Sequence, residues 1–134
     1  MRKITYYAIF EPYDNGFSVY FPDLPGCISC GDDFEHAQNM AKEVLNLHIY
    51  GMEKDNDEIP QSNKVEDLTI DEKTQTGYII SPITIYPEIF KNEMDNKAVK
   101  TNVTIPAWLK EIAEKERVNY SAILQNSLRE YLHL

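Results

Sequence analysis

The stretch that most restricts how this chain can fold is residues 97–134. Apolar and polar side chains alternate over residues 98–105, which predicts a strand with one buried and one exposed face. Pro106 ends that strand and suits the first turn of a helix. A unit of about forty residues with one strand cannot pair its strand edge or bury enough apolar surface alone. It therefore needs a partner, and a second copy of the chain is the simplest one.

Two helices are predicted after this strand. The first covers residues 106–116, and the second begins at Asn119, a favoured N-cap residue. Val118 and Ile123 stand at the two positions that pack together across a helix start. The apolar stripe of the second helix consists of Ile123, Leu124, Leu128, Tyr131 and Leu132.

Paired antiparallel, two such strands form a ribbon that fits the major groove of DNA. In its order of elements, and in Asn-Tyr-Ser at residues 119–121, this stretch resembles the ribbon-helix-helix family of repressors. The resemblance implies an intertwined homodimer that reads bases from the exposed strand face. Backbone N–H groups at the start of the second helix would hold a phosphate. The implied DNA-binding residues are Lys97, Lys100, Asn102, Thr104, Asn119, Tyr120 and Ser121.

One residue departs from that family pattern. The turn between the helices usually contains Gly, whereas this chain has Arg117. A residue with a Cβ atom costs about 1 kcal/mol there if the position requires a positive φ. Polar alternation on an exposed strand also serves ordinary solvation, so a dimerisation module without a DNA role is the alternative interpretation.

Charge is distributed unevenly along the chain. Residues 97–134 contain six lysines and arginines against four glutamates, a net charge of +2, whereas residues 1–96 contain seven basic and eighteen acidic residues, a net charge of −11. The acidic part would be repelled by nucleic acid, which confines DNA contact to residues 97–134. A basic partner would suit the acidic part, although solubility alone also accounts for its charge.

Residues 1–90 are predicted to combine an antiparallel hairpin, a third strand, a helix and a further strand. The first strand, residues 3–11, is apolar on both faces, which is typical of a central strand. A short third strand follows near residues 27–30, and Asp32 with Glu35 predicts a capping box for a helix that ends near Gly51. Its apolar stripe is Ala37, Met40, Ala41, Val44, Leu45 and His48.

Beyond that helix, a short element is predicted near residues 65–68. Pro82 predicts an interrupted strand over residues 76–86 that closes the sheet at its edge. The alternative is that this strand is offered to a protein partner. Residues 91–96 are polar and lack periodicity, which predicts a linker.

Phe-Pro-Asp-Leu-Pro-Gly-Cys at residues 21–27, preceded by Ile-Phe-Glu-Pro at residues 9–12, resembles the HicB antitoxin family over residues 4–60. The resemblance implies a partly degraded ribonuclease H-like fold that blocks HicA, a small basic toxin that cleaves messenger RNA. The expected fold class is α+β, with a toxin-binding domain at residues 1–90, a linker at 91–96 and a ribbon-helix-helix domain at 97–134. The predicted toxin contacts, acidic or aromatic and near the hairpin, are Glu11, Asp14, Tyr20 and Asp32.

The predicted function is that of an antitoxin that binds a HicA-type toxin and, as a homodimer on operator DNA, represses its own operon. Assemblies larger than the dimer are left open. The alternative is a DNA-binding regulator whose acidic domain senses another ligand or protein.

No catalytic residue, metal or cofactor is expected. Ribonuclease H chemistry needs several carboxylates around Mg²⁺, but the first strand is centred on Tyr-Tyr-Ala at residues 6–8. Cys27 and Cys30 have the spacing of a metal or redox pair, but two buried cysteines in a reducing compartment are expected instead. No run of about 18 apolar residues and no signal-type segment occurs, which predicts a cytoplasmic protein with no membrane contact.

Overall fold

Four strands and four α-helices make up the computed structural model, which describes all 134 residues and is a mixed α+β structure. The chain divides into an N-terminal unit, Met1–Lys97, and a C-terminal unit, Ala98–Leu134. None of the helices combines the length and apolar character needed to cross a membrane. The elements are β1 (Ile4–Tyr13), β2 (Gly16–Tyr20), β3 (Ile28–Gly31), α1 (Phe34–Lys54), β4 (Ile79–Ile85), α2 (Pro87–Asp95), α3 (Ala107–Lys115) and α4 (Tyr120–Leu132).

The sheet of the N-terminal unit has the strand order β3-β2-β1-β4, and every neighbouring pair is antiparallel. β1 is central, as its apolar character on both faces predicts: Phe10 and Ile9 are both fully buried although they point to opposite faces. The predicted hairpin is formed by β1 and β2, in which Tyr13 pairs with Gly16 across a two-residue turn. The predicted order of hairpin, third strand, helix and further strand is therefore confirmed.

α1 covers one face of this sheet and forms the core with it. Its buried residues recur every four positions, which places them on one stripe of the helix. The stripe is Ala37, Ala41, Leu45 and Ile49, and it packs with Tyr6, Ala8, Phe10, Val19, Ile83 and Ile85 of the sheet. His48 was assigned to this stripe by the sequence pattern, but it is only half-buried because Ile49 continues the four-residue repeat.

The ends of α1 differ from the prediction. Its N-cap is Asp33, and not Asp32, because the Asp33 Oδ1 accepts the backbone N–H of His36 at 2.7 Å. The helix also continues past Gly51 to Lys54, since Met52 packs against the core. Elsewhere β4 runs through Pro82 without interruption, because an edge strand tolerates a residue without an N–H group.

Residues 91–96, predicted as a linker, lie in α2 and at its C-cap. Pro87 begins this helix at a position that needs no N–H donor. Phe90 packs edge-to-face against Tyr50 of α1, with ring centroids 5.8 Å apart, and the Lys91 Nζ lies 2.8 Å from the Asp95 carboxylate. Packing and local pairing thus order a segment that has little periodicity of its own.

Residues 55–78 connect α1 to β4, and we call them the strap. The strap contains only a short 3-10 turn at Val65–Asp67, as predicted, and its first half is held by side chains from elsewhere. The Tyr6 hydroxyl donates to the Pro60 carbonyl, and the Asp23 carboxylate accepts the backbone and side-chain N–H groups of Asn63 at 2.9 and 2.7 Å. Asp23 belongs to the motif at residues 21–27, so the motif anchors this connection.

Candidate interaction surfaces

The C-terminal unit exposes an apolar groove. Neither α3 nor α4 contains a buried residue, and Val103, Ile112 and Ile123 are 62%, 53% and 52% exposed. The groove has a volume of about 520 Å³. It is lined by Thr101, Val103, Ile105, Leu109, Ile112, Ala113, Glu116, Val118, Tyr120, Ser121, Ile123, Leu124 and Ser127. Apolar surface of this extent on a small unit is typical of a face that another surface covers.

Residues 98–105, the predicted strand, form neither a helix nor a hydrogen-bonded strand in the single chain. A β ladder needs a second strand, which the C-terminal unit does not itself supply. The predicted base-reading residues Lys100, Asn102 and Thr104 are all exposed, and so is Lys97 at the end of the N-terminal unit. The strand and its DNA contacts remain predictions.

The start of α4 has the cap that its sequence predicts. The Asn119 Oδ1 accepts the backbone N–H of Ala122 at 3.1 Å. The first hydrogen bond along the helix backbone is donated by Ile123, so the N–H groups of Tyr120 and Ser121 have no partner within the chain. Two free donors at a helix N-terminus suit an anion.

The turn before this cap contains Arg117, whose φ is +51°. Arg117 therefore has the positive φ that glycine usually provides in this turn. The Arg117 N–H bonds the Glu114 carbonyl and the Val118 N–H bonds the Ala113 carbonyl, both at 3.2 Å, which closes the end of α3.

Two of the predicted toxin contacts lie where they hold the second half of the strap. The Glu11 Oε2 accepts the backbone N–H of Gln75 at 2.8 Å. The Tyr20 hydroxyl lies 2.7 Å from the Thr74 Oγ1 and accepts the backbone N–H of Asp71 at 3.3 Å. Both residues therefore have partners within the chain.

The other two, Asp14 and Asp32, line one open groove of about 500 Å³ beside the β1–β2 turn. The Asp32 side chain is 98% exposed, and the His36 Nδ1 lies 3.7 Å from its carboxylate. Tyr13, which is 63% exposed, and Cys30 line the same groove. Sequence reasoning missed Tyr13, although its place next to the turn residue Asp14 was a usable signal.

The two cysteines do not form a pair. Cys27 is fully buried in the core, and burial raises the pKa of its thiol to about 12. Cys30 is exposed, which corrects the expectation that both are buried. The next residue of β3, Gly31, is the buried one that lies against Ala37 of α1, and successive strand residues point to opposite faces. No group of three or more His, Cys, Asp and Glu side chains lies close enough together to hold a metal ion.

Comparison with known families identifies the class of protein. A family described as "HicB_like antitoxin of bacterial toxin-antitoxin system" matches residues 6–126, so the match reaches into both units. Its members are antitoxins and not enzymes. The chain belongs to the HicB-like antitoxin family, which confirms the resemblance seen in the motif at residues 21–27.

One relative and three solved structures show how far the similarity extends. The chain is 35% identical over 106 residues to an uncharacterized 14.9 kDa protein from the rep-hol intergenic region of Haemophilus phage HP1, covering 79% of this chain and 76% of that protein. It is similar to a chain of a toxin-antitoxin complex from Streptococcus pneumoniae, with a TM-score of 0.59, 21% identity, and coverage of 97% and 99% of the two chains. It is also similar to antitoxin HicB of Burkholderia pseudomallei, with a TM-score of 0.54, 18% identity, and coverage of 96% of this chain and 98% of that one. The similarity to antitoxin HicB3 has a TM-score of 0.52 and 26% identity, and it covers 96% of this chain and 97% of that one.

Proposed function

We propose that this chain binds and blocks a HicA-type, mRNA-cleaving toxin and represses its own operon as a homodimer. The observation that carries the proposal is the match to an antitoxin family over residues 6–126. The charge distribution supports a division of labour, since the N-terminal part carries the negative charge and residues 97–134 are net positive. The first part would meet a basic protein and the second would meet DNA.

For the N-terminal unit we infer a partly degraded ribonuclease H-like fold that contacts the toxin at the groove beside the β1–β2 turn. An antiparallel sheet with a central β1 and one long helix across a face supports that fold. Asp14 and Asp32 are free there to meet cationic side chains. Glu11 and Tyr20 act in this proposal by holding the strap, and they meet the toxin only at the border of the contact.

The toxin contact is tested by titrating a HicA-type toxin, a small basic ribonuclease, with the full chain. We expect the wild-type chain to inhibit the cleavage of RNA by the toxin. The double variant Asp14→Asn/Asp32→Asn should bind roughly tenfold to a hundredfold more weakly, with a reduced salt dependence. Asp67→Asn, which neutralises an exposed carboxylate on the strap, is the matched control and should bind like the wild type. Equal affinities of all three proteins would place the contact on another face.

For the C-terminal unit we infer a ribbon-helix-helix dimer. The apolar groove supports it, because a second copy would cover the groove while residues 98–105 pair across the two-fold axis. Lys100, Asn102 and Thr104 would then face base edges, with Asn suited to adenine and Lys to guanine. Lys97, Asn119 and the free N–H groups of Tyr120 and Ser121 would meet phosphates.

The repressor half is tested by a salt titration with the DNA upstream of the gene and with a random duplex. A chain lacking residues 98–134 should lose all DNA binding. Asn102→Ala should weaken binding to the upstream duplex by roughly 1–3 kcal/mol and leave random DNA unaffected, since it removes a base contact. Equal losses on the two duplexes would instead make Asn102 a residue that only positions the protein. The same weakening from Lys100→Ala should be partly salt-dependent.

A regulator whose N-terminal unit senses a small ligand is the second candidate. It is favoured by a cavity of about 290 Å³ between α1 and α2, where the Asn46 Oδ1 is buried without a hydrogen-bond partner. A gene neighbourhood without any small basic protein, together with DNA binding that a metabolite mixture modulates, would favour this candidate over the antitoxin.

A further inference from the structure

Arg117 has a backbone conformation that disfavours its side chain. Its φ of +51° falls in the left-handed region, and it stands at the position after the C-cap of α3 where helices commonly end in glycine. The two 3.2 Å hydrogen bonds that close α3 are made by backbone groups, so a glycine could make them equally well. The closure of the helix therefore does not explain an arginine at this position.

The ion pairs of the C-terminal unit do not explain it either. Lys110 and Lys115 each pair with a glutamate one turn away, at 3.9 and 3.6 Å, whereas Arg117 has no carboxylate within 4.0 Å. The Arg117 side chain is exposed. The last turn of α3 already contains a cation, Lys115, that complements the carbonyl end of the helix. Arg117 is thus an unpaired cation in a disfavoured conformation.

Its place in the chain suggests its use. Arg117 lies two residues before the N-cap Asn119 and three before Tyr120, which offers one of the two free N–H groups. Guanidinium groups bind phosphate through two parallel N–H donors. We infer that Arg117 contacts a backbone phosphate of the DNA, next to the phosphate proposed for the start of α4. This inference rests on the proposed DNA-binding function and adds a positioning residue to it.

The test uses the full chain, the upstream duplex and a random duplex, with affinity measured by fluorescence anisotropy over a series of KCl concentrations. Arg117→Gly should weaken binding to both duplexes by the same factor, roughly three- to tenfold. The slope of log affinity against log salt should fall in magnitude by about one. Its melting temperature should not decrease, because glycine adopts the left-handed conformation freely. Arg117→Lys should retain the wild-type slope.

Arg129→Gln is the matched control, since Arg129 is another exposed arginine of this unit with no ion pair and lies at the far end of α4. It should leave the slope unchanged. Arg117→Asn, which also tolerates a positive φ, repeats the measurement if the glycine variant does not fold.

An unchanged slope for Arg117→Gly or Arg117→Asn would overturn the inference alone, and so would a loss confined to the upstream duplex, which would indicate a base contact. No DNA binding by the wild-type chain would overturn the proposed repressor function as well, so the two failures are distinguishable.

Discussion

The two units use similar apolar patterns and reach opposite results. All fourteen buried hydrophobic residues of the chain lie in the N-terminal unit, where α1 closes over one face of the sheet. The helices of the C-terminal unit have none. Of the apolar stripe predicted for its second helix, Ile123 and Leu124 line an open groove, whereas Leu128, Tyr131 and Leu132 are exposed outside it. The difference lies in what each apolar face packs against. In the N-terminal unit α1 packs against a sheet of the same chain, whereas α3 and α4 have no such sheet in their own unit.

An amphipathic pattern therefore tells which face is buried but not what buries it. The N-terminal unit should unfold at a temperature that is independent of protein concentration. In the proposed dimer the folded form of the C-terminal unit is linked to association, so this unit should become more stable as protein concentration rises. Substitutions in one unit at a time test this difference between the two units.

The largest expected effect comes from Ile112→Glu in the apolar groove. A charge at this half-exposed position would have to be desolvated in the dimer, so association should be lost and the C-terminal unit should unfold with it. Sedimentation should show monomers, and the transition of the N-terminal unit should be unchanged. Gln125→Glu adds the same charge at an exposed position of α4 outside the groove and should remain dimeric. A dimeric Ile112→Glu protein would show that the groove is not the interface.

Gly31→Ala makes the complementary change in the N-terminal unit. A Cβ atom at this position would lie 2.3 Å from the Ala37 backbone N and 2.5 Å from its Cα, so β3 and α1 must move apart. We expect a loss of roughly 1–3 kcal/mol in urea unfolding of this unit. Gly51→Ala is the matched control, because a Cβ there meets nothing within 4 Å inside α1, and it should stabilise by about 1 kcal/mol. An unchanged free energy of unfolding in Gly31→Ala would mean that β3 and α1 are not in tight contact at this position.

Local patterns predicted much of this structure. The central position of β1, the Asn119 cap and the edge position of Pro82 each follow from a few neighbouring residues, and all are observed. α2 was missed because its order depends on packing against α1, and residues 91–96 alone carry no helical period. The signal that could have found it was Pro87 followed by Ile89 and Phe90.

The toxin contacts show the limit of the same reasoning. Glu11 and Tyr20 have the chemistry of interface residues, but they bind distant residues of the same chain. The partner of Glu11, Gln75, lies 64 residues away along the sequence. The partners of Tyr20, Asp71 and Thr74, lie 51 and 54 residues away. No sequence pattern links positions so far apart in a segment without regular structure. Only the fold shows that they hold the strap, while Asp14 and Asp32 remain free.

Tyr20→Phe tests the strap, the part of the N-terminal unit that is held by single side chains. Loss of the hydroxyl removes its contacts with Thr74 and Asp71, and we expect a loss of about 1 kcal/mol with faster hydrogen exchange in the second half of the strap. Tyr13→Phe is the control, because Tyr13 is exposed and its hydroxyl makes no hydrogen bond within the chain. Unchanged exchange in Tyr20→Phe would show that the strap does not depend on this hydroxyl.

The smallest expected effect concerns Arg2, which joins the chain start to α1 and α2 within the N-terminal unit. The Arg2 Nε lies 2.7 Å from Glu88 and its Nη2 2.8 Å from Glu53. The hydrogen bond from Arg2 lowers the pKa of the Glu88 carboxyl below its ordinary value. The stability that it contributes is therefore present above about pH 4.3 and is lost as the pH falls further through the lowered pKa. Arg2→Gln should destabilise this unit slightly at neutral pH.

The pH dependence separates charge from packing at this site. At low pH, where Glu88 is protonated in both proteins, the difference between wild type and Arg2→Gln should disappear. Lys64→Gln removes a cation that makes no ion pair and should show little difference at either pH. A difference that persists at low pH would assign the effect to the packing of the Arg2 stem, because the methylene groups of arginine cover apolar surface whatever the charge of their neighbours. The transition of the C-terminal unit should not respond in either case, since both carboxylates that Arg2 contacts belong to the N-terminal unit.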